Sequence, residues 1–144
     1  MGMNKETKRT LQDFVHAAQQ RLRDKKIPKY QTLYVPSLDQ NITIRNITFD
    51  EIAECQNMEE EPGSNRADKY CIYLAVTDPD FRAAAKQLME AEKELPPEEK
   101  ELHEALDIVN IFEPTEITEI AMAIMRLSGV ISSKKVTVVD GLKN

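Results

Sequence analysis

Apolar residues recur along this chain with two periods, and the switches between them mark out its elements. Over residues 7–24, Leu11, Phe14, Val15, Ala18 and Leu22 fall at spacings of three and four, which predicts an amphipathic helix with one apolar stripe. Its end is basic, with Arg21, Arg23, Lys25 and Lys26 ahead of Ile27-Pro28, an arrangement the helix dipole favours. The period then shortens to two. Tyr30 to Val35 is rich in β-formers, residues 36–41 read as a loop, and Ile42 and Ile44 alternate with Thr43 and Arg45 in a half-buried returning strand over 42–46. The two strands predict a β-hairpin. A hairpin alone is marginal, so this one is expected to lie on helices or to join another sheet edge. An unfilled edge is a natural place to pair with a second chain.

Residues 42–52, ITIRNITFDEI, carry the clearest local signals. The strand gives way to a helix whose start holds both halves of a capping box, Thr48 and Glu51. Ile47 and Ile52 flank that start as a hydrophobic staple. The helix is expected over 49–60, ended by an exposed acidic turn, Glu59-Glu60-Glu61-Pro62-Gly63. Ser64 is then a candidate cap for a helix with the stripe Ala67, Tyr70, Cys71, Leu74 and Ala75. Asp78-Pro79 reads as the start of another, facing inward through Phe81, Ala84, Ala85, Leu88 and Leu95. Pro96-Pro97 breaks the pattern, and Leu102, Ala105, Leu106, Val109 and Phe112 make the next stripe. The last helix starts near Pro114-Thr115. Ile117, Ile120, Ala121, Ile124 and Leu127 share a face that Met122 and Met125 widen, so it is either central to the core or partly offered to a partner. Gly129 fits its C-terminal stop, and one short β-prone piece, 136–139, follows.

The predicted fold class is α+β, mostly α: one domain of about five to six helices with a β-hairpin near the N-terminal third. Residues 1–29 form the N-terminal helix and basic segment, 30–46 the hairpin, 47–130 the helical body and 131–144 a C-terminal tail.

Charge sharpens this division. The chain of 144 residues carries a net charge of −6, but residues 1–46 hold nine Lys/Arg against four Asp/Glu and the remainder ten against twenty-one. A split of this kind suits contact with a charge-complementary partner or with another copy of the chain. It argues against a nucleic-acid-binding body, although the basic arm alone could touch phosphate. No apolar run has the roughly 18 residues of a membrane span. The charged N-terminus lacks an apolar signal core, and MGMNKE lacks the Ser or Thr of a myristoylation pattern, so a cytoplasmic protein is expected.

Recognisable chemistry is sparse. Four scattered Gly cannot build a phosphate-cradling loop. His16, Cys55, Cys71 and His103 have no metal-ligand spacing, and the two cysteines are expected as reduced, partly buried thiols on helices. The paired carboxylates, such as Asp78 and Asp80 or Glu98 and Glu99, fit caps and acidic surfaces. No catalytic residue, cofactor or metal is predicted, and a non-enzymatic role is expected.

The order of elements carries a resemblance. The hairpin TLYVPSLDQNITIR leads into NITFDEIAECQNMEE and ADKYCIYLAVTDPDFR, then an acidic linker, then the closing helix EPTEITEIAMAIMRLSGV. Over about residues 30–130 this resembles the tail assembly chaperones of long-tailed bacteriophages and prophages, in particular the XkdN-like group. The resemblance implies a protein of the bacterial host cytoplasm that binds the tape-measure protein, keeps its apolar helices soluble and helps recruit tail tube subunits. Many such chaperones have a short and a longer frameshifted form, and the point at which this chain ends would match the short one. The family supplies no active-site residues.

From the wide apolar arc of the last helix and the free edge of the hairpin, residues 117–127 and 33–45 are the expected contact surfaces. Leu33, Val35, Ile42, Ile44, Ile117, Ile120, Ile124 and Met125 are the candidate partner-binding residues. Three other readings stay open: a small prophage regulatory or nucleic-acid-associated protein, a small ligand-binding domain or enzyme, and a prophage protein that only self-associates.

Overall fold

A computed structural model describes residues 10–59, 64–131 and 134–139. The fold is α+β and mostly α. In chain order it runs α1 (Leu11–Asp24), β1 (Tyr30–Val35), β2 (Gln40–Arg45), α2 (Phe49–Asn57), α3 (Arg66–Ala75), β3 (Val76–Asp78), α4 (Phe81–Ala91), 3-10 turns at Pro97–Glu99 and Ala105–Ile111, and α5 (Pro114–Leu127).

The hairpin does join another strand. β2 is the middle of a three-stranded antiparallel sheet, with β1 on one side and β3 on the other. Leu33 pairs with Ile42, Tyr34 with Asn41 and Val35 with Gln40, so alternate residues of each strand share a face. Val35, Ile42 and Ile44 point inward and are almost fully buried. They share one core with Cys71, Ile72 and Ala75 of α3 and with Ile117, Ile120 and Ile124 of α5, the helix that lies against β1 and β2. Thr32 and Tyr34, on the opposite face of β1, are exposed. The hairpin loop is tighter than the predicted six residues. Leu38 N donates to the Val35 carbonyl and Asp39 N to that of Pro36, and Asp39 takes a left-handed φ of 50° that a short polar side chain tolerates.

The junction after β2 forms as its sequence predicts. Thr48 caps α2, accepting from Glu51 N at 3.2 Å, while Glu51 accepts from Thr48 N at 3.0 Å. Glu51 also takes both nitrogens of the Arg45 guanidinium, at 3.0 and 2.8 Å. At the far end of the chain, Gly129 has φ 81°, and the Val130 and Gly129 amides donate to the Met125 and Arg126 carbonyls. This pair of bonds is a Schellman stop. Ser128 Oγ accepts from Ile47 N at 2.8 Å and donates to the Ile124 carbonyl at 2.7 Å, tying the end of α5 to the β2–α2 junction.

Four predicted features come out differently. Asp78-Pro79 does not begin a helix. Asp78 ends β3, the peptide is cis, and Asp80 caps α4 by accepting from Ala83 N at 3.0 Å. Burial of Val76, opposite Ile44, draws this piece into the sheet. Asn65, not Ser64, holds the N-cap position of α3, with a left-handed φ of 59° and no side-chain cap bond, while Ser64 Oγ accepts from Arg66 N at 3.4 Å and donates to Glu59 at 3.0 Å. The stripe at Leu106, Val109 and Phe112 is a 3-10 turn, whose three residues per turn put i and i+3 on one side. Phe112 stacks on Phe81 with 5.7 Å between ring centroids. On α4, Phe81 and Ala85 face the core, but Leu88 and Leu95 beyond it are exposed.

The helix expected from residue 7 begins at Leu11, capped by Thr10, and its predicted first turn at 7–9 lies outside the described residues. So does most of the acidic turn, residues 60–63, together with 132–133 and 140–144 of the tail. Residues 134–139 are in no strand, and Val136, Val138 and Val139 are exposed.

Candidate functional site

β1 is an outer strand, and α5 runs beside it. Between them lies a cleft of about 300 Å³, with residues 33–36 on one side and Glu116, Glu119, Ile120 and Ala123 on the other. Those four helical residues recur at intervals of three, four and seven, so they form one face of α5. Leu33, Tyr34, Val35 and Pro36 are consecutive, and consecutive strand residues point to opposite faces, which places the opening along the strand edge. The lining is mainly apolar, with Glu119 exposed at the rim.

Glu116 holds the two sides together. Its carboxylate accepts from Ser37 N at 3.0 Å, from Ser37 Oγ at 2.5 Å and from Glu113 N at 2.9 Å. It is 8 % exposed, the one buried charged residue among those described. The hydrogen bonds from Ser37, then that from the Glu113 amide, hold its pKa below the usual carboxylate range. The hairpin turn is therefore anchored to the first turn of α5 by a charged group whose lone pairs are already engaged.

The eight candidate partner-binding residues separate on this geometry. Leu33, Val35 and Ile120 line the cleft. Of the three only Leu33 is partly exposed; Val35 and Ile120, like Ile42, Ile44, Ile117 and Ile124, are at most 5 % exposed and belong to the core, so these six offer little side-chain surface. The inner face of β2 lies in the core with α5 against it, which is why its alternation reads as half-buried while its apolar half is unavailable. Met125 is half-buried against the same core, and on α5 Met122 is the more exposed, at 39 %. The two segments expected as separate contact surfaces thus meet in one cleft. Sequence pattern gave no sign of Glu116, Glu119, Tyr34 or Ala123. An inward-facing Glu one helical turn before Ile120 was the available clue.

A second apolar surface lies on α1, none of whose residues is buried. Leu11, Phe14 and Leu22 are 75 %, 64 % and 62 % exposed.

Elsewhere the chemistry is quiet. Cys55 on α2 and Cys71 on α3 are free, buried neighbours. A hydrogen bond to Cys55, together with burial, pushes the Cys71 thiol upward. The hydrogen bond from Cys71 draws Cys55 down. Among the described residues no group of three or more His, Cys, Asp or Glu could hold a metal ion, and no helix is long and apolar enough to cross a membrane. No family model, curated protein or solved structure matches the chain.

Proposed function

We propose that this chain is a non-enzymatic assembly chaperone of the phage-tail type, which holds apolar helical segments of a tape-measure protein and helps recruit tail tube subunits. The observation that carries the reading is the cleft between β1 and α5. It is open and apolar, it has a strand edge on one wall and a helix face on the other, and it bears a carboxylate at the rim. Such a surface suits an amphipathic helix laid into a groove or an extended segment added to the edge. Of the two carboxylates that line the cleft, that of Glu116 is already bonded to Ser37 and Glu113, which leaves the rim carboxylate of Glu119 to meet a client.

The test is co-expression with a candidate tape-measure protein, followed by co-purification. Ala123→Arg fills the cleft from its partly exposed wall and leaves the core residues in place. We expect wild type to keep the client soluble and Ala123→Arg to lose it at an unchanged thermal midpoint. Equal client recovery with both proteins overturns the cleft as the binding site.

A further inference from the structure

Among the described residues, α1 has no extensive contact with another element. A helix of this length, 14 residues, is marginal in water by itself. Its capping box, Thr10 with Asp13, stabilises one end only, and no residue along it is buried. Its stripe exposes Leu11, Phe14 and Leu22 on one side. The cations are not spread evenly around it. Arg21 lies seven residues after Phe14, Lys25 seven after Ala18 and Lys26 four after Leu22, so all three flank the stripe. Asp13 and Asp24 fall on the opposite side, where Asp24 accepts from Gln20 Nε2 at 2.9 Å.

The cleft between β1 and α5 has the complementary character. Its floor is apolar, Glu119 stands exposed on its wall, and its opening accommodates one or two large side chains such as Phe14 and Leu11. From this match of charge and shape we infer that α1 of one copy docks in the β1–α5 cleft of a second copy, with its apolar stripe down and its cations beside Glu119. Exchange of the helix in both directions closes a two-fold dimer and doubles a contact that would be small alone.

The linker favours a second copy over the chain's own cleft. Lys29 is fixed to β2, its amide donating to Asn46 Oδ1 at 2.9 Å and its carbonyl accepting from Asn46 N at 3.0 Å. Pro28 fixes its own φ and biases Ile27 toward extended backbone. Lys26 and Ile27 are already bonded back to Arg23 and Asp24. Little chain is left free to reverse α1 onto the β1 beside it. The inference uses the same cleft as the proposed function but does not depend on what any client is, and it is tested with this protein alone.

The experiment is sedimentation velocity and light scattering on the full chain from 1 to 300 µM, at low and high salt. Wild type is expected at twice its 16.5 kDa mass at the upper concentrations, with weaker association at high salt. Phe14→Asp and Ala123→Arg should each be monomeric, with thermal midpoints equal to that of wild type at dilutions where wild type too is monomeric, since Phe14 is exposed and Ala123 only partly buried. Mixed together, the two should associate more weakly than wild type, because the intact cleft of the first and the intact helix of the second restore one of the two contacts. Arg21→Glu with Lys25→Glu should weaken dimerisation at least tenfold, and Glu119→Lys in the same chain should recover part of the loss. Several outcomes would overturn the inference. They are a wild-type monomer throughout, a dimer indifferent to Phe14→Asp, or a wild-type monomer whose α1 binds only vesicles of anionic lipid.

Discussion

Ser37 donates through both its amide and its hydroxyl to the carboxylate of Glu116, 79 residues further along the chain. The contact joins the hairpin turn to the start of α5. Because the Glu116 pKa is lowered on folding, its contribution is complete above the ordinary glutamate range and is lost as pH falls through the folded value. Glu116→Gln should therefore lower the thermal midpoint at pH 7, and the difference from wild type should shrink as the pH drops below about 4. Thermal melts of both proteins across pH 3–7 check this; a constant gap would mean that the charge of Glu116 is not the stabilising element.

Glu51 has a comparable double role at the β2–α2 junction. The hydrogen bonds from the Arg45 side chain, the largest cause, with those from Thr48, bring its pKa from 4.5 to about 2. A lowered carboxylate stabilises above its unfolded value and loses that stabilisation as pH falls from about 4.5 toward 2. After allowance for solvent screening of a partly exposed pair, this is on the order of 1–2 kcal/mol. Titration of Glu51 by NMR should give a midpoint well below that of exposed glutamates. Thr48→Ala should cost about 1 kcal/mol in chemical denaturation, the usual penalty for a lost N-cap.

Gly129 ends α5 at φ 81°, and a Cβ built there meets nothing within 4 Å. Gly129→Ala therefore carries a backbone cost without a clash, expected at about 1–2 kcal/mol. A urea midpoint equal to wild type would show that the Schellman stop is not needed.

Burial separates two isoleucines from one phenylalanine. Ile44 and Ile124 are fully buried, so Ile44→Ala or Ile124→Ala should each cost about 2–5 kcal/mol. Phe14→Asp, on exposed α1, should leave the monomer's stability within about 0.5 kcal/mol of wild type. Denaturation under dilute, monomeric conditions compares them directly.

Cys55 and Cys71 should react slowly with a thiol reagent in the folded protein and together once it is unfolded. Both are buried, and the hydrogen bond between them and burial disfavour the Cys71 thiolate. Rapid native labelling of either would contradict the packing of α2 on α3.

Much of the local structure was legible because its signals are local. Thr48 with Glu51, the alternation of Ile42 and Ile44, and Gly129 each act within a few residues, and each formed the element its spacing indicated. Extended structure at Val76–Asp78 was not legible in this way. The piece is three residues long, it follows a helical stripe without a break, and only pairing with β2 stabilises it. The Leu102–Phe112 stripe gave the buried side but not the 3-10 winding, since a period near three and one of 3.6 diverge little over two turns.

By itself the sequence determined which residues are apolar, where the hairpin, α2 and the end of α5 fall, and how charge divides between a basic N-terminal part and an acidic body. Only the tertiary structure decided which apolar residues are available. Val35, Ile42, Ile44, Ile117, Ile120 and Ile124 disappear into the core, whereas Leu33 stays partly exposed at the cleft and the stripe of α1 stays exposed. Periodicity reports which side of an element is apolar. Whether that side meets another part of the chain or stays open depends on contacts between residues far apart in sequence, such as Ser37 and Glu116, which no local pattern encodes.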